Sequence, residues 1–272
     1  MTSVAVIGAG NMGSALVAGM VQSGLLPPDR ITAVDVVEDL IRRLKTEFGV
    51  NCSGEAGKVV ESHDVIVLAV KPQVWHPVVE GFSALLAPTQ LVLSIMAGVH
   101  TSAIEGAFMA EIPVIRVMPN ILAQVRASIS ALCRGRNATE DHLRTARAVI
   151  GSVGETVEVK EGQMDAVTGL SGSGPAYVYE MIDALAEGGV KAGLTQEIAM
   201  RLAVQTVFGS AKMVLESGCD PVELRDRVTS PGGTTLAGLQ AMTQSGFRSS
   251  LIGAVAAAAR RSRELGGGDG DC

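Results

Sequence analysis

Residues 4–20 read VAVIGAGNMGSALVAGM. A short Val/Ile run meets three glycines, and an apolar helical pattern follows at once. Gly8, Gly10 and Gly13 stand in G-x-G-x-x-G spacing. The spacing alone is weak, but here it closes a strand and opens a helix, the context that gives it meaning. In such a loop the first glycine makes the tight turn, the second lets the backbone approach a pyrophosphate, and the third allows close helix–strand packing. Free N–H groups at the helix start supply the anion site. Gly8, Ala9, Gly10, Asn11, Met12 and Gly13 are therefore the expected cofactor-binding loop. The alternative is a glycine turn with no ligand.

Outward from this loop, short apolar runs recur: ITAV (31–34), VIVLAV (65–70), LVLSIM (91–96), VIRVM (114–118) and SISALC (128–133). Their near-continuous apolarity suits strands buried on both faces, as in a parallel sheet. Amphipathic segments such as DLIRRLKTEFG (39–49) and HPVVEGFSALL (76–86) lie between them. The alternation predicts a doubly wound α/β domain. After TVEVK (156–160) the pattern becomes helical, with long patterns near 175–192, 196–216 and 247–263 and shorter ones near 221–228 and 235–245. The expected organisation is an N-terminal Rossmann-type dinucleotide-binding domain (1–160), an all-helical C-terminal substrate-binding and dimerisation domain (161–265), and a disordered tail (266–272). Apolar residues on wide arcs of AVQTVFGSAKMVL and LIGAVAAAA predict a homodimer through this half.

The bulk numbers exclude several classes. The 272 residues carry a net charge of −6 and are 3% aromatic, so neither a basic groove nor stacking platforms for nucleic acid are expected. RRSR (260–263), the densest basic patch, suits the end of the last helix. Cys52, Cys133, Cys219 and Cys272 are far apart and read as reduced thiols. His63, His76, His100 and His142 show no metal-ligand spacing, so no metal site is expected. There is no signal-peptide pattern and no uninterrupted apolar run of roughly 18 residues. The expectation is a soluble, cytoplasmic protein with no membrane partner.

Site candidates gather at strand ends. Asp35 closes ITAVD, where a carboxylate accepts from the adenine ribose 2′-hydroxyl and repels a 2′-phosphate. That favours NADH over NADPH, although Arg42 and Arg43 lie close enough in sequence to meet a phosphate, and Asp35 could equally be a cap. Ala69, Val70, Lys71 and Pro72 follow the 65–70 strand at the sheet edge where ligands bind. Lys71 reads as a polar loop residue over the cofactor, with a catalytic lysine as the alternative. Asn120 ends RVMPN and offers an amide to a nicotinamide carboxamide, or else a turn or cap after Pro119.

Two further segments lie in the helical half. In LSGSGPAYVYEM, Ser173 and Gly174 immediately precede Pro175, a favoured first-turn residue. In TSPGGTTLAGL (229–239), Gly232 and Gly233 expose amides while Thr234 and Thr235 add hydroxyls at a helix start. Two such elements suit a small anionic substrate, or two tight caps in a crowded bundle.

GAGNMG (8–13), LAVKPQ (68–73), GLSGSGPAYVYEMIDALAEGGVKAGL (169–194) and SPGGTTLAGL (230–239) together resemble the pyrroline-5-carboxylate reductases. The resemblance covers residues 1 to about 265, and its last two motifs are specific. It implies a Rossmann domain with an interlocking helical dimerisation domain, in dimers that in some members build a decamer of five dimers. It implies hydride transfer from NAD(P)H to C5 of 1-pyrroline-5-carboxylate, giving L-proline in the last step of proline biosynthesis. Thr235 then hydrogen-bonds the substrate nitrogen, the amides of Gly233 and Thr234 hold its carboxylate, and Ser173 and Gly174 line the other side. Interlocking would bring the Thr235 loop from the partner subunit. Two departures touch the cofactor: Ala56 stands where many members have a ribose-contacting Asn, and Asp35 where others carry small or basic residues. Related readings are a reductase of another cyclic imine, a hydroxy-acid dehydrogenase, or a dinucleotide-binding sensor. Against the hydroxy-acid enzymes, the helix after Pro175 has no lysine before Lys191 to serve as general base.

Overall fold

The computed structural model describes residues 2–266. The expected disordered tail falls outside them, except for Gly266. By packing, the chain forms two units: residues 2–172 with 258–266, and residues 173–257. By contact, residues up to Gly172 pack with the first unit, as does the end of the last helix.

The first unit is built on one sheet of eight strands: β1 (Val4–Ile7), β2 (Ile31–Val34), β3 (Asn51–Ser53), β4 (Val65–Leu68), β5 (Leu91–Ser94), β6 (Val114–Met118), β7 (Ser128–Arg134) and β8 (Gly154–Glu158). Their order is β3-β2-β1-β4-β5-β6-β7-β8. The register pairs Val4 with Ile31 on one side and Val65 on the other. Side chains alternate between two cores: Val4 and Val6 of β1 enter one, Ala5 and Ile7 the other. That double burial accounts for the unbroken apolarity of the central runs.

A wholly parallel sheet is corrected at one place, since β7 runs antiparallel to β6. The link through 119–127 holds only the 3₁₀ turn Ile121–Val125. A parallel crossover needs about a dozen residues or more.

Around the sheet lie α1 (Asn11–Gln22), α2 (Glu38–Phe48), α3 (Gly57–Val60), α4 (Trp75–Glu80), α5 (Thr101–Glu105), α6 (Glu140–Gly151) and α7 (Met164–Val167). The 76–86 pattern yields only α4, because the chain turns at Gly81 and continues through i+3 bonds such as Leu85 N–H to Phe82 carbonyl, 2.9 Å.

The second unit contains α8 (Gly174–Lys191), α9 (Gln196–Ser217), α10 (Pro221–Arg227), α11 (Thr234–Gln244) and the first part of α12 (Phe247–Leu265). These match the helical patterns of the sequence. Thr195 caps α9 at Ile198 N–H, and Asp220 caps α10 at Val222 N–H. Its core is small, formed by Ala186, Ala199 and Ala203 with Ile182 and Met200. Phe208, Leu202 and Leu215 of α9 are exposed. Among the described residues, α9 is also the one helix whose length and composition alone would pass for a membrane span.

Candidate active site

The glycine loop sits at the carboxyl end of β1. Gly8 has φ +107°, and a Cβ there would lie 2.6 Å from the Ala69 carbonyl oxygen. Only glycine fits that turn against the end of β4. A Cβ on Gly13 would overlap the Gly8 carbonyl oxygen. Gly10 differs: a Cβ there would meet nothing within 4 Å. Its small size serves no packing inside the chain and leaves room for a ligand at the backbone. Gly10 caps α1 with no side-chain hydrogen bond, and the first turn holds no acidic residue. The α1 N-terminus is therefore open to an anion.

Asp35 braces this loop. Its Oδ2 accepts from Ala9 N–H at 2.7 Å and its Oδ1 from Val37 N–H at 2.9 Å. It also lines a cleft of about 650 Å³ with Gly8, Gly10, Ala69, Val70 and Lys71. Leu40, Val74, Val78 and Phe82 add apolar wall to the cleft, and Ala56 lies there too. The sequence reading missed these apolar residues, whose only signal was the amphipathic pattern of their segments. The cleft's size, its apolar wall and the uncapped helix start fit a dinucleotide. Lys71 is exposed and precedes Pro72, which opens a 3₁₀ turn to Val74. Arg42 pairs with Glu38 at 3.3 Å and Asp39 at 3.2 Å.

Asn120 follows β6 and turns its amide into the protein. It is 5% exposed. Its Oδ1 accepts from Leu122 N–H, and its Nδ2 donates to the Ser171 carbonyl at 3.1 Å. The cap role after Pro119 is present in this geometry, and one Nδ2 hydrogen remains beyond the bond to Ser171.

In the second unit, α8 starts at Gly174 after Ser173, with no side-chain cap and no acid in its first turn. The residues before it form a π-helical turn, Thr168–Gly172. In the 229–239 loop Gly232 has φ +70° and the Gly233 N–H bonds the Ser230 carbonyl at 3.0 Å. The α11 N-terminus carries neither a side-chain cap nor an acid, which leaves the amides and hydroxyls of Thr234 and Thr235 at an uncapped, electropositive helix start.

One cluster escaped the sequence reading. Arg116, in β6, pairs with Glu161, which also accepts from Thr101 Oγ1 at 2.8 Å. Arg116 is 2% exposed. Burial opposes ionisation of Glu161, but the Arg116 charge and the Thr101 hydrogen bonds hold its carboxyl below the usual range. Burial, with the adjacent Glu161 charge, pushes the Cys133 thiol up to about 12. A lone arginine within VIRVM was the available signal.

Comparison with known proteins agrees with this architecture. A chain from Methanosarcina acetivorans named pyrroline-5-carboxylate reductase is 44% identical over 260 residues, covering 96% of each chain. The chain belongs to the pyrroline-5-carboxylate reductase family. A family model described as pyrroline-5-carboxylate reductase dimerisation matches residues 161–265. Another, described as NADP oxidoreductase, coenzyme F420-dependent, matches residues 3–98. The solved pyrroline-5-carboxylate reductase from Coxiella burnetii superposes with a TM-score of 0.93 at 35% identity, covering 97% of this chain and 98% of that one. The Plasmodium falciparum pyrroline carboxylate reductase, solved with NADP bound, gives 0.86 at 30% identity and the same coverage. Family membership accounts for both the Rossmann-like sheet and the helical dimerisation domain.

Proposed function

We propose that this protein is an NAD(P)H-dependent oxidoreductase that reduces 1-pyrroline-5-carboxylate to L-proline, the last step of proline biosynthesis. The observation that carries the proposal is near-full-length identity to proteins of that name, with the SPGGTT segment intact at an uncapped helix start. The bound reduced nicotinamide supplies the hydride. The amides of residues 8–13 hold the pyrophosphate, and Ala69, Val70, Lys71 and Pro72 border the dinucleotide. Asn120 lies at the end of β6 as a candidate neighbour of the nicotinamide.

Thr234 N–H meets the substrate carboxylate, joined by that of Gly233 once it leaves the Ser230 carbonyl, and Thr235 Oγ1 hydrogen-bonds the ring nitrogen. Ser173 and Gly174 border the imine. A protonated cyclic imine accepts hydride at C5 without a general base, so positioning and charge placement carry much of the rate. Asp35 supports NADH over NADPH: it offers an acceptor to a ribose hydroxyl and repels a 2′-phosphate. Arg42, a rival phosphate partner, is already ion-paired.

The domain boundary is taken near 160, with the helical half as the dimerising part. Homodimerisation through the C-terminal helices, further assembly into a decamer of five dimers, and a cytoplasmic location complete the proposal. The Thr235 loop reaching the site from the partner subunit follows from interlocking.

Thr235→Val tests the chemistry. The variant removes the hydroxyl at nearly constant volume. It is expected to lower kcat/KM for the imine by about 10- to 100-fold while nucleotide affinity is kept. Unchanged kcat/KM would remove Thr235 from the site.

A further inference from the structure

We propose that Asn120 is a positioning residue, which holds the chain in the last turn before α8 and thereby sets where Ser173 and Gly174 stand. The inference rests on the reading of those two residues as bordering the substrate.

The turn Thr168–Gly172 is π-helical, a rare conformation that is frequent at functional sites. Two of its hydroxyls donate back to carbonyls four residues earlier, Thr168 Oγ1 to Met164 at 2.9 Å and Ser171 Oγ to Val167 at 3.1 Å. The Ser171 carbonyl takes its bond from outside the turn, from Asn120 Nδ2. Asn120 is itself immobilised, since its Oδ1 caps the Ile121–Val125 turn and its backbone N–H reaches Ser128 Oγ at 3.4 Å.

A second contact lies beside the first. Met118, two residues before Asn120, packs so closely on Gly172 that a Cβ at 172 would lie 2.8 Å from Met118 Cε. The end of β6 thus grips residues 171 and 172 by a hydrogen bond and by packing. The next residues are Ser173, Gly174 and Pro175. The Oδ1 and one Nδ2 hydrogen of the Asn120 amide are thus committed within the protein. In this proposal its effect on the reaction passes through the Ser171 carbonyl.

Asn120→Ser isolates this role. Serine is a good N-cap and keeps the Leu122 bond, but it is too short to reach Ser171. Asn120→Asp keeps the cap and turns an acceptor, instead of a donor, toward the Ser171 carbonyl. Both are expected to lower kcat/KM for pyrroline-5-carboxylate by about tenfold or more, with nucleotide Kd within about twofold and Tm nearly kept.

Amide exchange should rise in residues 168–176 and stay level in β1 and α1. Parallel weakening of nucleotide Kd would overturn the proposal in favour of direct cofactor contact. Unchanged kcat/KM in a wild type that turns over would overturn it too. Should wild type not turn over this imine, the functional reading fails on its own. The exchange arm then decides the latch: a local rise supports it and an unchanged pattern overturns it.

Discussion

Among single residues, Arg116 carries the largest electrostatic burden. A buried guanidinium without a partner costs several kcal/mol. Glu161 answers it across 45 positions of sequence, with Thr101 as a second tether and His100 Nδ1 3.6 Å away. Because the folded Glu161 carboxyl is held below its ordinary value of 4.5, its contribution is fully present above that pH. It is lost as pH falls through the lower, folded value. Glu161→Gln is therefore expected to cost about 2–3 kcal/mol at neutral pH and to flatten the acid limb of the stability curve. Urea midpoints taken from pH 7 down to pH 3 would check both effects. A variant with wild-type midpoints throughout would show that the pair does not stabilise the fold. Nothing in the spacing of the sequence joins Arg116 to Glu161; only the out-of-place arginine in an apolar strand hinted at a partner.

At the scale of elements, the glycine loop separates two demands that look identical in sequence. Gly8 and Gly13 are required by the chain itself, and Gly10 is not. Gly10→Ala should thus fold with Tm close to wild type, yet bind NADH and NADPH about tenfold or more weakly, since its methyl group points where the pyrophosphate would lie. Gly13→Ala should lose stability as well as binding. Thermal melts combined with nucleotide titration distinguish the two, and a Gly10→Ala protein that binds normally would move the pyrophosphate elsewhere. The strand–loop–helix was legible because local rules fix it: apolar strand, glycine spacing, helix start. The helices of the second half were legible for similar reasons, with Thr195, Asp220 and Gly218 marking ends. The direction of β7 was not, because it depends on the length of a link rather than on any residue in the strand. The engagement of Asn120 was equally hidden, since Ser171 lies 51 positions away.

For the whole molecule, the second unit cannot be explained as a lone body. Its core is a few alanines, whereas Leu202, Phe208, Ile252 and other large apolar side chains stand exposed. Surfaces of that kind mark association, and membership in a family with a dimerisation domain identifies a second copy as the partner. Leu202→Lys combined with Phe208→Lys should weaken the dimer by about 100-fold or more and reduce turnover with it. Light scattering across a dilution series would follow the mass, and an intact, active dimer would place the interface on other faces. The central claim is imine reduction, and the most direct measurement is loss of reduced-nicotinamide absorbance when the dimer meets pyrroline-5-carboxylate, with NADH and NADPH run in parallel and proline assayed as product. The account predicts turnover with stoichiometric proline, faster with NADH because of Asp35. Faster turnover with NADPH would contradict the role given to Asp35. No turnover with either cofactor, in folded and dimeric protein, would contradict the assignment itself.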